Sequence, residues 1–219
     1  MCDPDGNYVI CDSRNHRIQV FAPDGTFLRT FGDVGHKDGY FNSPSGITCD
    51  GDGNYVVCDC DNHRIQVFAP DGTFLRKFGS EDYFKTPSRI TCDQEGNYVI
   101  CDRSNNNIQV FTSDGTFLHK FGSKGSKDGY LRSPWGIICD RDGNYVVCDT
   151  MNHRIQVFTP NGTFLYNFGS EKGNFNSPAG ITCDRMGNYV ICDTGNHRIQ
   201  VWKSRYMPSL LEMSLRWVN

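Results

Sequence analysis

No stretch of 18 consecutive apolar residues occurs anywhere in the chain, and a membrane-crossing helix needs about that many. The opening residues hold no short apolar run of the kind that directs secretion. Neither sign of charge dominates. The formal net charge of −3 argues against a uniformly basic surface but leaves room for a positive sector. The C-x₂-C spacing of a zinc knuckle is also missing. No Ser/His/Asp or Cys/His set stands apart from its surroundings, and an enzyme usually breaks its own pattern to build an active site. These absences predict a cytoplasmic, non-enzymatic chain with no membrane contact, metal, cofactor or small-molecule substrate.

What the chain has in abundance is itself. Gly6-Asn7-Tyr8-Val9-Ile10-Cys11-Asp12, followed by Asn15-His16-Arg17-Ile18-Gln19-Val20-Phe21, returns four more times. The anchoring asparagine falls at Asn7, Asn54, Asn97, Asn144 and Asn188, in steps of 47, 43, 47 and 44 residues. A period in that range marks a stacked or radial repeat architecture.

Within a unit the signals are those of short strands. Gly46-Ile47-Thr48-Cys49-Asp50 precedes an Asp52-Gly53 turn into Tyr55-Val56-Val57-Cys58-Asp59; Arg64-Ile65-Gln66-Val67-Phe68 precedes a Pro70-Asp71-Gly72 turn into Thr73 to Gly79. Asp-Gly between β-branched or aromatic runs signals a hairpin, because glycine accepts the positive φ the turn needs. Four strands, a to d, in each period make a four-stranded antiparallel meander, a propeller blade. The fold class is therefore all-β, with about four and a half to five blades.

A single repeat domain spans residues 1–202, with units at about 1–31, 45–79, 88–122, 135–169 and 179–202. The first unit supplies strands b, c and d, and the last supplies a, b and c. The array is thus cut at both ends, and if the ring does not close, two blade faces and two strand edges lack intrachain partners. The b–c turns share one face with the long d–a connections, which run from Gly32 to Pro44, Gly79 to Pro87, Gly122 to Pro134 and Gly169 to Pro178. Those connections vary most between units, and variation on a fixed scaffold is where binding usually resides. Beyond Trp202 the repeat fails, and Ser209-Leu210-Leu211-Glu212 reads as a capping box opening a short helix to about Arg216.

Ten of the 11 cysteines recur as pairs nine residues apart: Cys2/Cys11, Cys49/Cys58, Cys92/Cys101, Cys139/Cys148 and Cys183/Cys192. Cys60 is left over. Each sits in an apolar strand pattern, so buried free thiols in a reducing compartment are expected.

The Asn-His-Arg-Ile-Gln-Val-Phe at residues 15–21, 62–68 and 152–158, with a Trp202 ending at 196–202, resembles the signature of NHL repeats. Ser-Pro-x-Gly-Ile and Asp-Gly-Thr-Phe elements extend the resemblance over about nine-tenths of the chain. It is most similar to the C-terminal NHL propellers of tripartite-motif proteins. The resemblance implies a propeller, commonly six-bladed, that binds stem-loop or single-stranded RNA or protein partners on one face and serves post-transcriptional regulation. In that family a RING makes the whole protein an E3 ubiquitin ligase. No RING or B-box cysteine/histidine framework is present here, so ligase activity would belong to a longer parent protein.

His16, His63, His153 and His197 recur at one blade position, which predicts a structural role for imidazole and the following arginine; a shared metal would need ligands converging on one point. Asp50-x-Asp52-Gly-Asn54 and its equivalents invite a calcium reading, but an EF-hand loop needs glycine where Tyr55 stands, and turn chemistry suffices. Symmetry breaks in unit three. There Asn105-Asn106-Asn107 replaces Asn-His-Arg, Arg103 precedes it, and the next d–a loop holds Lys124, Lys127 and Arg132 before Trp135. Cations for phosphates, an amide for base edges and an aromatic platform are what recognition of unpaired RNA requires. The candidate RNA-binding residues are Arg14, Lys37, Arg89, Arg103, Asn106, Lys127, Arg132 and Trp135. A weaker copy of the pattern holds Arg14, His36, Lys37, Tyr40 and Phe41, and Arg89 is an outlier where other units have Gly46, Gly136 and Gly180. The alternative is a protein-interaction or substrate-receptor module. A secreted metal-dependent lyase is a third reading, for which paired disulfides would be needed.

Overall fold

The computed structural model describes residues 1–170 and 174–204, and the helix expected over 209–216 lies outside them. The described residues form five antiparallel sheets. Blade one holds β1 (Tyr8–Asp12), β2 (Arg17–Phe21) and β3 (Phe27–Phe31). Blade two holds β4 (Pro44–Cys49), β5 (Tyr55–Asp59), β6 (Arg64–Phe68) and β7 (Phe74–Phe78). Blade three holds β8 (Pro87–Cys92), β9 (Tyr98–Asp102), β10 (Asn107–Phe111) and β11 (Phe117–Phe121). Blade four holds β12 (Pro134–Cys139), β13 (Tyr145–Asp149), β14 (Arg154–Phe158) and β15 (Phe164–Phe168); blade five holds β16 (Pro178–Cys183), β17 (Tyr189–Asp193) and β18 (Arg198–Trp202). Each is a meander paired in sequence order, so the fold is a five-bladed β-propeller with three-stranded first and last blades.

The hairpins follow from turn chemistry. Gly53 holds φ at 81° and Gly72 at 92°, values a side chain rarely adopts. The Asp50 carboxylate accepts the N–H groups of Asp52 and Asn54 and the Asn54 amide, so the Asp-x-Asp-Gly-Asn element closes on itself as an Asx turn.

Blades are joined face to face. Tyr55 and Val57 of β5 pack against Val9, Ile18 and Val20 of blade one, while Val56 and Cys58 pack against Tyr98 and Ile100 of blade three. A strand buried on both faces reads as a continuous apolar run, which is why β5, β9 and β13 lack the alternation of a half-exposed strand. The tyrosine of each second strand ties the joint. Tyr55 stacks on Phe31 with ring centroids 6.0 Å apart, and its hydroxyl donates to Asp3 Oδ2 at 2.9 Å. Burial, then the Asp3 carboxylate, pushes the Tyr55 phenol up to about 12, which keeps it a donor. The same Phe–Tyr stack and Tyr-to-Asp bond recur at Tyr98, Tyr145 and Tyr189.

At the ends the joint is open. Tyr8 and Ile10 of blade one are 45% and 46% exposed, and Ile199 and Val201 of blade five 61% and 62%, where their counterparts in blade two are fully buried. The cysteine expectation needs correcting for the same reason. All 11 thiols are free, but only Cys58, Cys101 and Cys148 are buried, and Cys2 and Cys192 are exposed. Cys192 of blade five lacks the following blade that covers Cys58, Cys101 and Cys148, while Cys49, Cys92 and Cys139, at the ends of first strands in blades two to four, are only partly buried.

Candidate nucleic-acid interface

The b–c turns and the long loops share one face, and a repeated ionic anchor holds them. Buried Asp59 accepts the Asn42 N–H at 2.7 Å, the Asn62 amide at 2.9 Å, Arg64 Nε at 2.7 Å and the Gln66 amide at 2.9 Å. Arg64 then reaches into the loop of residues 32–44, donating to the carbonyls of His36, Lys37 and Tyr40 at 3.0, 2.8 and 2.9 Å. Asp149 and Arg154 repeat the arrangement for the loop of residues 122–134: Asp149 takes the Arg132 N–H and Arg154 Nε, and Arg154 donates to the carbonyls of Lys127 and Tyr130. With loop carbonyls turned inward, the side chains of Lys37, Lys127 and Arg132 are left exposed on the surface.

The histidines have a backbone role. His16, His63, His153 and His197 sit in the left-handed region at φ 52–54° and 55°, and Nδ1 of His16 and of His153 accepts the N–H of Ser43 and Ser177 from the next loop. Among the described residues no group of three or more His, Cys, Asp and Glu is placed to share a metal ion.

Unit three departs because the loop before it, 79–87, is shorter. Asn107 stands where the other blades have the anchoring arginine, and its buried Oδ1 has no partner. Asp102 takes the N–H groups of Lys85 and Thr86 instead. Asn105 donates to Asp102 at 2.7 Å. Asn106, at φ 56°, fills the histidine position: its Oδ1 accepts the Ser133 N–H at 3.0 Å and its Nδ2 donates to the Ser104 carbonyl at 3.0 Å. Its amide oxygen is therefore already engaged in holding the next loop.

Arg103 and Trp135 are brought together. In two units the residue that follows the tyrosine-bearing strand reaches over the first strand of the following blade: Ser13 donates to the Pro44 carbonyl at 2.5 Å and Thr150 to that of Pro178 at 2.8 Å. Arg103 makes the same crossing and lays its guanidinium over the Trp135 ring, 4.7 Å from the centroid. Arg103 is exposed and Trp135 half-buried, so a planar cation extends the indole outward. Exposed Lys124, Lys127 and Arg132 lie on the adjoining loop. Its one carboxylate, Asp128, is taken by Arg154 Nη1 at 3.1 Å and by Asn167 at 2.7 Å, which leaves those cations without an ion-pair partner among the described residues. That neutralisation was not visible in the sequence, because Asn167 belongs to β15 and Arg154 to β14.

The other candidates fall elsewhere. Arg14 is exposed in the b–c turn of blade one and Lys37 on the first long loop, away from Arg103 along the face. Arg89 lies in β8, among the first strands that pack on one another about the axis. It donates to the Ser45 carbonyl at 2.5 Å and borders a cavity of about 380 Å³ lined by Met1, Val9, Ile10, Cys11, Ser45 and Ile47. It is a cavity-wall residue, separate from the loop cluster.

Residues 1–21, 41–68, 131–158 and 175–202 match the NHL repeat; the divergent third unit is not among them. No curated protein matches the chain. Several solved structures share the fold. A catalytically inactive virginiamycin B lyase from Staphylococcus aureus with quinupristin superposes with a TM-score of 0.73 at 18% identity, over 94% of this chain and 69% of that one. A streptogramin B lyase gives 0.72 at 18% identity, over 94% and 67%. The WD40 β-propeller domain of Doa1 gives 0.69 at 11% identity, over 91% and 60%.

Proposed function

Starting from NHL repeats folded as propeller blades, we propose that the chain is a non-catalytic recognition module that binds single-stranded or stem-loop RNA at the sector between blades three and four. The observation that carries this reading is the Arg103–Trp135 stack beside the unpaired Lys124, Lys127 and Arg132. An unpaired base stacks on the guanidinium and indole planes, and the three flanking cations take the phosphates on either side. Asn106 acts as a positioning residue: its bond to the Ser133 N–H fixes the last turn of the loop immediately before Trp135. The resemblance to tripartite-motif proteins supports a role in post-transcriptional regulation, with any ubiquitin-ligase activity residing in a RING of a longer parent protein.

The test is binding of the purified chain to random and stem-loop RNA pools at two salt concentrations, beside an Arg103→Ala, Trp135→Ala double variant of verified fold. Binding that weakens steeply with salt and is lost in the variant supports the reading. A folded, monomeric chain that binds no RNA sinks it and favours the protein-interaction reading, for which the exposed loop tyrosines Tyr40 and Tyr130 would supply contacts.

A further inference from the structure

Two of the long loops, residues 32–44 and 122–134, run through the same main-chain bonds. In the first, Phe41 N–H donates to the Asp33 carbonyl at 2.8 Å and Gly35 N–H to the Phe41 carbonyl at 3.0 Å; in the second, Leu131 N–H donates to the Ser123 carbonyl at 2.9 Å and Gly125 N–H to the Leu131 carbonyl at 3.1 Å. Tyr40 N–H likewise meets the Lys37 carbonyl, and Tyr130 N–H that of Lys127. Each bridge takes the carbonyl before and the N–H after its central residue, Val34 or Lys124. The N–H of that central residue is left outside the bridge and needs an acceptor of its own or water.

The two loops meet that need differently. On the first, the Asp33 carboxylate accepts the Val34 N–H at 2.7 Å. On the second, Ser123 stands in the place of Asp33 and is exposed, and neither its hydroxyl nor the Lys124 N–H has a hydrogen-bond partner among the described residues. Two further exchanges are electrostatic. Lys124 replaces Val34 and Arg132 replaces Asn42, and both cations are exposed on one loop with exposed Lys127. Asp128, the carboxylate of that loop, is held by Arg154 and Asn167. The donor that the first loop directs to its own carboxylate is therefore turned outward by the second, on a loop whose exposed charges are positive.

We propose that the Lys124 N–H and the Ser123 hydroxyl form a seat for a phosphate group, supported by the side-chain charges of Lys124, Lys127 and Arg132. Asp33 marks the position, since its carboxylate places an anionic oxygen against the equivalent N–H on the same backbone. A main-chain N–H that donates to a charged oxygen makes a charge-assisted bond, and such N–H groups are regular contacts of nucleic-acid phosphates. Assigning the phosphate to RNA rests on the reading above, in which a base lies on Arg103 and Trp135 and a neighbouring phosphate takes the seat. The first loop is closed to a phosphate, because its own carboxylate holds the N–H and repels the anion.

The probe for the seat is inorganic phosphate, titrated into the isotope-labelled 219-residue chain while its amide spectrum is followed, with sodium chloride at equal ionic strength as the reference. The Lys124 amide should shift saturably with phosphate, and the Val34 amide should not. Ser123→Asn offers the same N–H a neutral acceptor, so it should abolish the Lys124 response without adding charge. It should also weaken binding of the RNA pool by about tenfold, the effect of losing one hydrogen bond to a charged group. The reciprocal variant, Asp33→Ser with Val34→Lys and Asn42→Arg, should give the residue 34 amide the response that Lys124 shows. A Lys124 amide that follows chloride as it follows phosphate, a Val34 amide that shifts as far, a folded Ser123→Asn chain that keeps the response, or a folded reciprocal variant without one would each overturn the seat. A specific phosphate response in a chain that binds no RNA supports the seat and removes RNA as its source. RNA binding with a silent Lys124 amide overturns the seat and leaves the Arg103–Trp135 sector standing.

Discussion

The loops of residues 32–44 and 122–134 share a backbone and differ in chemistry. In both, a parallel bridge closes the loop, Val34 to Phe41 and Lys124 to Leu131. In both, a buried glutamine holds a glycine N–H at 3.0 Å, Gln66 to Gly39 and Gln156 to Gly129. Inside the fold the one exchange is Phe41 for Leu131, both fully buried; the larger differences lie among side chains that reach the surface. Val34 becomes Lys124, Asn42 becomes Arg132, and the Ser13 and Ser45 positions become Arg103 and Trp135. Asp33 and Asp38 outnumber Lys37 on the first loop, while Lys124, Lys127 and Arg132 outnumber Asp128 on the second. The difference teaches that buried contacts set a loop's shape in this fold, and that its exposed positions are free to carry the chemistry of a site.

The largest effect should fall on both loops alike. Arg64→Ala and Arg154→Ala each strip a buried carboxylate of its cation, a change that costs about 3–5 kcal/mol. Urea denaturation should give closely similar losses, and a mild effect at only one arginine would break the equivalence of the two loops. Next come the loop-opening glycines. A Cβ at Gly32 (φ 86°) would lie 2.4 Å from the Phe41 ring, and one at Gly122 (φ 81°) 2.6 Å from the Leu131 Cδ1. A leucine methyl swings away more readily than a ring, so Gly32→Ala should destabilise more than Gly122→Ala, each on the order of 1–3 kcal/mol; the reverse ranking in thermal melts would contradict the packing described.

Giving the second loop the first loop's residues, Lys124→Val with Arg132→Asn, sharpens the functional side. Stability should stay within about 0.5 kcal/mol, while RNA affinity falls and the salt slope drops by about 1 per lost phosphate contact. An unchanged slope would remove these residues from the interface. The smallest effect concerns the copy of the anchor in blade five, Asp193 with Arg198. Burial works to raise the Asp193 carboxyl, but the Asn176 N–H and the side chains of Asn196, Arg198 and Gln200 outweigh it and hold it at about 2. An unfolded aspartate titrates near ~3.9, so this stabilisation is whole above that pH and is lost as pH falls towards 2. Asp193→Asn should flatten the acid limb of the stability profile there; an unaltered limb would deny the carboxylate that role.

Strand order and blade count were legible in the sequence because each rests on local chemistry that recurs from unit to unit: glycine-closed turns, apolar runs and a period of 43 to 47 residues. The candidate site was legible only as a list. Arg103, Lys127, Arg132 and Trp135 could be assigned to one face from the alternation of turns, but nothing local said that Arg103 would lie on Trp135 or that Arg154 and Asn167 would take up Asp128. Asn106 looked like a free amide; its engagement with Ser133 depends on a backbone N–H 27 positions away. Arg89 looked like its neighbours on the list, and only the packing of first strands on one another set it in the wall of the cavity beside blade one.

The sequence by itself determined the repeat, the hairpins and the residues that could bind, since these depend on turn geometry, side-chain period and residue type over a few positions. Tertiary structure alone decided which charges stay unpaired among the described residues and which thiols are covered. Those properties belong to contacts between blades, where residues about 25 to 50 positions apart meet, and burial there sets whether a polar group faces a partner or water.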